Sequence, residues 1–336
     1  MTVSTPSPLC RCYRLAPEAN EKITQCITAT TLEGNLLRGR TIVDTAWLLS
    51  QHSLTESQIT DVGTFGSLVE LFNAAYVIWD DIMDGSSTRR GEPCWYRREN
   101  VGMAAINDGC LVKSSIYVIL KQRFRSHPAY LDLLELFLDA SLQTELGQHC
   151  DGLASASVGQ IEIFTWAQYG FITAKKTAYY SFYLPLTIPL LYLNMAMPGK
   201  LKEIYDVSML MGLVFQARDD YLDVYGDATV TGKIGTDIQE HRCSWLSVQA
   251  VLLCNEEQKR VLRESYGRDD PEDVERVKKV FEEVDLPKRF REWNGEMLDK
   301  LDAKVEEMTD AVVRDSIRAL LAKYFKDPRR HLPQGK

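Results

Sequence analysis

The sequence predicts an all-α fold, and three observations predict it. Apolar residues recur at helical spacing through most of the 336 residues. No dense series of short alternating strands interrupts them, and the breakers fall between the long periodic runs. With 45% hydrophobic and 26% charged residues, and only 20 Gly and 12 Pro, the chain reads as globular. Its length admits two domains of average size or one large helical one. About ten long helices with no strand-rich half choose the second.

Taken in order, helices are expected over residues 41–51, 61–81, 107–124, 130–147, 175–193, 200–224, 244–254, 257–266, 271–284 and 289–325. The second contains the apolar run AAYVIW and is stopped by Gly85, Ser86, Ser87, Gly91 and Pro93; the sixth contains MLMGLVFQA and is stopped by Gly226, Gly232 and Gly235. The last is expected to break near Asp310 or Asp315. The greasiest stretch, YLPLTIPLLYLNMAM from Tyr183 to Met197, holds two prolines, Thr187 and Asn194, and falls short of the roughly 18 apolar residues of a spanning helix. It reads as buried wall, and no transmembrane segment is expected. The tail DPRRHLPQGK, from Asp327, is expected to be mobile.

Lys and Arg number 39 against 47 Asp and Glu, for a net charge of −8, which argues against a nucleic-acid binder. Eight cysteines form no CxxC pair, and five histidines do not complete a zinc set. They read as reduced, structural thiols of an intracellular, cytoplasmic protein. The start, MTVSTPSPLCRCYRL, lacks the charged and apolar regions of a secretory signal.

Two aspartate clusters stand out: WDDIMD, with Asp80, Asp81 and Asp84, and RDDYLD, with Asp219, Asp220 and Asp223. In a helix, positions i and i+4 share a face about 6 Å apart along the axis, so Asp80 stacks on Asp84 and Asp219 on Asp223. Carboxylates gathered at the end of a buried helix repel one another and call for cations. Oxygen-only ligands favour Mg²⁺ or a similar hard ion. Arg89 and Arg90 follow the first cluster and Lys233 the second, with Arg38 and Lys176 at other helix ends. That set fits a polyphosphate held between divalent ions and basic side chains. A single DDxxD is a weak signal, since solvated acidic turns are common. Two of them, each at the end of an apolar helix and followed by basic residues in a Gly-containing loop, are a strong one. A helix-lined apolar cavity capped by both clusters suits a ligand with a greasy tail and a diphosphate head, whose carbon–oxygen bond breaks to leave an allylic cation shielded from water. The motif G-x-x-x-x-G-K-[ST] is absent, which argues against a P-loop ATPase.

The blocks WDDIMDGSSTRRGEPCWYR, AINDG, LQTELGQHCD, KKTAYYSFYLPL, FQARDDYLDVYGD, TGKIGTDIQ and SWLSVQ resemble those of the trans-isoprenyl diphosphate synthases, most closely the eukaryotic farnesyl type. The resemblance implies a single-domain class I isoprenoid synthase bundle around a central cavity, over residues 31–326, after a divergent segment 1–30 and before the tail 327–336. It implies three Mg²⁺ held by Asp80, Asp81, Asp84, Asp219, Asp220 and Asp223. Arg89, Lys176 and Lys233 would hold an allylic diphosphate, and Arg38 and Arg90 that of the acceptor, isopentenyl diphosphate. Thr177 and Gln216 would face the developing cation beside Lys176 and Lys233, with Tyr180 nearby. A homodimer is also implied.

Several positions depart from that pattern. The segment GGKxxRG is here EGNLLRG, so Asn35 stands at the lysine position and Glu33 at the first glycine. Asn73 replaces a glutamine in the acceptor site. Losing a lysine–diphosphate bond costs about 1.5–3 kcal/mol. The terminal basic run is interrupted by Asp327 and Pro328 before Arg329 and Arg330, and Arg218 replaces an uncharged residue next to the second cluster. Ala75 and Tyr76 stand where farnesyl-producing members carry two aromatics, one helical turn below Asp80. The methyl of Ala75 leaves room for another isoprene unit, or is a plain packing residue, so C15 and C20 products both stay open. The function expected is condensation of dimethylallyl, geranyl or farnesyl diphosphate with isopentenyl diphosphate. The alternative is a divergent member that cyclises its allylic substrate or transfers the prenyl group to a different acceptor.

Overall fold

The structure, a computed structural model, describes residues 15–32, 34–227 and 235–325. Its regular elements are helical apart from a single two-stranded hairpin, β1 (Thr88–Arg89) and β2 (Glu92–Pro93). The chain divides into two compact units, residues 1–138 with 188–195, and residues 139–187 with 196–336.

In the first unit, α1 (Pro17–Ile27) runs into a π-helical turn, Thr28–Leu32, and is followed by α2 (Leu37–Leu49), α3 (Glu56–Met83) and α4 (Ala105–Phe124). Helix α3 is the hub, with α2 and α4 both packed on it. Its start is fixed by a reciprocal box in which the Thr55 hydroxyl accepts the Gln58 N–H and Gln58 Oε1 accepts the Thr55 N–H. Over its last two-thirds it is buried almost all round, as a core helix must be. Phe65 stacks on Phe124 at 4.2 Å. Among the described residues, two helices have the length and apolarity to cross a membrane: Glu56–Met83, whose apolar window is 72% buried within the protein, and Gly102–Phe124, at 33%. Packing accounts for the apolarity of the first.

The remaining elements are α5 (Tyr130–Ser155), α6 (Trp166–Ile172), a π-helix Thr173–Tyr183, α7 (Leu184–Tyr192), α8 (Pro198–Tyr225), α9 (Trp245–Leu253), α10 (Glu256–Ser265), α11 (Pro271–Glu283), α12 (Leu286–Glu306) and α13 (Ala311–Phe325). The expected break near Asp310 is there: its carboxylate accepts the N–H groups of Val312 and Val313 and pairs with Lys200 at 2.6 Å. The run 175–193 is not one α-helix, because its first half winds as a π-helix. In the second unit that π-helix packs on α8. Gly212 on α8 permits this, and Gly147 permits the same close approach to α5. A Cβ at Gly147 would stand 2.2 Å from the Lys176 backbone nitrogen, and one at Gly212 would stand 2.1 Å from the Ala178 Cβ. The core beyond it is aromatic, with Tyr221 stacked on Phe290 at 4.3 Å and Trp245 set edge-on to Phe290 at 5.0 Å.

Candidate active site

The first cluster closes α3, with Asp84 as the residue that caps it. Asp80 and Asp84 are half-buried, one turn apart, whereas Asp81, rotated about 100° from Asp80, is buried at 3% exposure. Burial raises the Asp81 carboxyl above its ordinary pKa; Arg89 pulls it the other way. The Asp81 Oδ1 accepts from both Arg89 Nε at 2.8 Å and an Arg89 terminal nitrogen at 2.6 Å, and that nitrogen lies 3.5 Å from Asp80. The Cys94 thiol is pushed up to about 12, first by burial and then by Asp81. It is a neutral donor rather than a nucleophile. The loop after the cluster is tied down: Tyr96 donates its hydroxyl to the Ser86 carbonyl at 2.8 Å, and Arg97 donates to that of Gly85 at 3.0 Å.

Other predicted residues of this unit take distinct places. Asn73 and Ala75 are buried inside α3. The Tyr76 ring lies 4.6 Å from Phe72 and 5.2 Å from Trp79, with the Lys113 ammonium 5.7 Å from its centre. Arg38 is half-buried at the start of α2, and Asn35 is exposed. Arg90 sits at the tip of the hairpin and donates to the Thr30 carbonyl at 3.3 Å.

In the second unit the same division recurs. Asp219 and Asp223 on α8 are half-buried, and Asp220 is buried at 4% exposure. Asp220 accepts the Gln216 amide at 2.9 Å, the Tyr169 hydroxyl at 2.7 Å and the Trp245 N–H at 2.8 Å. Burial pushes its pKa up, and these three donors oppose the rise. Gln216 in turn accepts the Thr177 hydroxyl at 2.8 Å, so the two residues expected to face a cation are bonded to each other. Asp223 Oδ1 accepts the Asp237 N–H at 2.9 Å, joining the end of α8 to the strand of chain after Gly235. Lys233, Arg329 and Arg330 lie outside the described residues. Arg218 turns to the Asn294 side chain at 2.9 Å and the Phe325 carbonyl at 3.2 Å.

Lys176 donates to Asp151 at 2.6 Å, and Arg242 donates to the same carboxylate oxygen while bonding Glu240 at 2.9 Å. Asp151 and Arg242 were not among the predicted site residues. The available signals were the position of Asp151 in the LQTELGQHCD block and that of Arg242 just after TGKIGTDIQ.

Among the described residues, no three acidic, histidine or cysteine side chains converge as a ready-made metal cage. What each helix offers is a pair of half-buried carboxylates. That donor set suits Mg²⁺, which takes one or two carboxylates and fills its octahedron with phosphate oxygens and water.

Comparison with known proteins agrees with this chemistry. The farnesyl pyrophosphate synthase of Schizosaccharomyces pombe is 41% identical over 300 residues, 88% of this chain and 86% of that protein. The rat farnesyl pyrophosphate synthase is 39% identical over 316 residues, 92% and 89% of the two chains. The solved structure of T. brucei farnesyl diphosphate synthase complexed with risedronate superposes with a TM-score of 0.90 at 30% identity, covering 95% of this chain and 94% of that one. The polyprenyl synthetase family model matches residues 20–284, a span holding both aspartate clusters and the Asp151–Lys176–Arg242 group, and the chain therefore belongs to the polyprenyl synthetase family, with the all-α class I isoprenoid synthase fold.

Proposed function

We infer that the protein is a Mg²⁺-dependent prenyltransferase that condenses an allylic diphosphate with isopentenyl diphosphate to give farnesyl or geranylgeranyl diphosphate. Family membership implies the Mg²⁺ dependence. The observation that carries the reading is the shared build of the two DDxxD motifs. Each leaves its outer carboxylates half-buried and consumes the middle one in internal bonds.

Asp80 and Asp84, and Asp219 and Asp223, are the carboxylates that take the metal, with three ions as the expected complement. Bound Mg²⁺ supplies charge withdrawal from the diphosphate. The chain's own residues do the rest. Arg89, Lys176 and Lys233 bind the allylic diphosphate, and Arg38, Arg90, Asn35 and Asn73 belong to the acceptor's diphosphate. Asp81 and Asp220 act one step back, holding Arg89 and Gln216 in place. Thr177 and Gln216, locked in one hydrogen bond, present oxygen dipoles to positive charge on the allyl group. Ala75 and Tyr76 are the candidates for limiting chain length. Exposed Leu131, Leu138, Leu142, Leu146 and Leu153 along α5 support pairing with a second copy. We place the enzyme in the cytoplasm.

The test is incubation of the purified protein with labelled isopentenyl diphosphate, Mg²⁺ and dimethylallyl, geranyl or farnesyl diphosphate in turn, with chromatography of the dephosphorylated products. Label is expected in farnesol or geranylgeraniol. Absence of label with every allylic partner overturns the reading, and a cyclic hydrocarbon formed from the allylic diphosphate alone would establish the cyclase alternative.

A further inference from the structure

Helix α4 meets the last turns of α3 along one stripe of each helix. Ile106, Gly109 and Lys113 stand at i, i+3 and i+7 on α4, and Phe72, Tyr76 and Trp79 at i, i+4 and i+7 on α3. The two stripes mesh at Trp79. Its indole N–H donates to the Ile106 carbonyl at 3.2 Å, and a Cβ at Gly109 would stand 2.5 Å from the same nitrogen, so the ring fits because that residue is glycine. Trp79 is thereby fixed.

Lys113 extends that fixation to Tyr76. The Tyr76 and Trp79 rings meet edge to face, 5.2 Å between centres and 84° between planes, and the half-buried Lys113 places its ammonium 5.7 Å from the centre of each. A cation within about 6 Å of a ring centre is drawn to the ring's quadrupole, and one shared by two rings opposes any change in the angle between them. Phe72 adds a third contact, its ring 4.6 Å from that of Tyr76. The neighbouring Ala75 is at 0% exposure, so no water-sized space lies against its methyl, whereas Tyr76 keeps 9%. Of the two positions proposed to limit chain length, only the tyrosine borders accessible space, and its ring is the one Lys113 holds.

We propose that Lys113 is a positioning residue that sets product length: by pinning the Tyr76 ring across the space a fourth isoprene unit would enter, it stops elongation at C15. Lys113 acts through the ring and takes no part in bond making. The proposal deepens the prenyl-transfer reading, and rests both on that reading and on Tyr76 as the residue that meets the growing chain.

The wild type, K113M, K113R, Y76A and the double variant K113M/Y76A are each incubated with Mg²⁺, geranyl diphosphate and excess labelled isopentenyl diphosphate, and the dephosphorylated products are separated by length. Wild type is expected to give mainly farnesol. K113M keeps a long side chain and a good helix former but no charge. It should raise the ratio of geranylgeraniol to farnesol about fivefold, with the rate of the first condensation within about twofold of wild type. K113R, which keeps a cation, should leave the ratio within about twofold of wild type. Y76A should raise the ratio at least as far as K113M does, and K113M should add nothing in the Y76A background, because the ring it frees is gone. A merely structural lysine would not lose its effect with the ring. A wild type that makes mainly geranylgeraniol, a K113M ratio equal to that of wild type, or a K113M effect undiminished in the Y76A background overturns the proposal and leaves prenyl transfer standing. No label in any product removes the prenyl-transfer reading and the proposal with it.

Discussion

Asp151 Oδ2 receives Lys176 Nζ at 2.6 Å and the Arg242 guanidinium on the same oxygen, with the carboxylate nearly closed to solvent. One buried negative charge thus restrains two cations. Without it, Lys176 and Arg242 would repel each other, and the Glu240 carboxylate would still hold Arg242. The pair is built by packing as well as charge, because Gly147 lies one helical turn before Asp151 and lets the Lys176 backbone come against α5.

Replacing Asp151 by Asn removes the counter-charge while keeping the shape. Breaking a buried ion pair from one side costs about 3 kcal/mol. D151N should therefore lower the unfolding free energy extrapolated from urea titration by an amount of that order. It should also raise the KM for the allylic diphosphate, because Lys176 is no longer aimed. Urea unfolding together with kinetics on geranyl diphosphate checks both, and a variant with wild-type stability and affinity would show the triad to be idle.

Glycines on α5 are not equivalent. Alanine at Gly147 would drive a Cβ to 2.2 Å from the Lys176 nitrogen, and backbone cannot swing aside as a side-chain tip can. Gly212 faces the Ala178 Cβ at 2.1 Å. G147A and G212A should each cost at least about 1–3 kcal/mol by overpacking. G152A, on α5 beyond Gly147 and with nothing within 4 Å, should gain about 0.5–1 kcal/mol from helix propensity. Thermal melts of the three variants test the opposite signs directly.

Much of this was legible in the sequence, and the exceptions have physical causes. Long amphipathic helices such as α5 declare themselves because buried Leu133, Phe137, Ala140 and Thr144 return every three or four residues. The helix Pro17–Ile27 did not, since PEANEKITQCI buries only Cys26. The π-helix was invisible because a one-residue change of hydrogen-bond register leaves no distinct mark on the spacing of apolar side chains. Strands of two residues, as at Thr88–Arg89, are too short for an alternation to form. The six aspartates were readable as motifs. All six were expected to hold the metal; the inward turn of Asp81 and Asp220 and the distant partners of the buried carboxylates were not legible. Trp245 is 25 positions from Asp220, and Arg242 is 91 from Asp151.

His241 gives a pH dependence whose sign is fixed by burial. The ring is closed to solvent, with Nδ1 2.9 Å from the Ala154 carbonyl and Nε2 lacking a hydrogen-bond partner among the described residues. Burial holds its pKa below the ordinary histidine value; the Ala154 bond opposes this in part. Folded His241 is therefore neutral where the unfolded residue, with a pKa of about 6.5, already binds a proton. The unfolded state binds more protons in that window, so this contribution to stability is full above about pH 6.5 and is lost as pH falls toward the folded pKa. H241N keeps a residue that tolerates the left-handed φ of 54°. Melting temperatures from pH 7.5 to 5 should fall less steeply for H241N than for wild type, and identical slopes would remove His241 from the acid response.

The two DDxxD motifs predict a split between loss of turnover and loss of stability. Asp80, Asp84, Asp219 and Asp223 are half-buried, and a pair one turn apart on each helix is what Mg²⁺ and a diphosphate would use. D80N, D84N, D219N and D223N should each reduce kcat at least about 100-fold, the scale of losing one preorganised electrostatic contact to developing charge, while the melting temperature stays near that of wild type. The middle residues should behave differently. D81N leaves the Arg89 guanidinium without its chelating carboxylate, at a cost of about 3 kcal/mol. D220N puts an amide where three donors converge, for about 1–3 kcal/mol. Chelator should abolish turnover and added Mg²⁺ restore it in the wild type. Should D81N and D220N lose activity at full stability while D80N and D219N keep it, the middle aspartates would be the metal ligands, and the inward turn of each motif would have been assigned the wrong role.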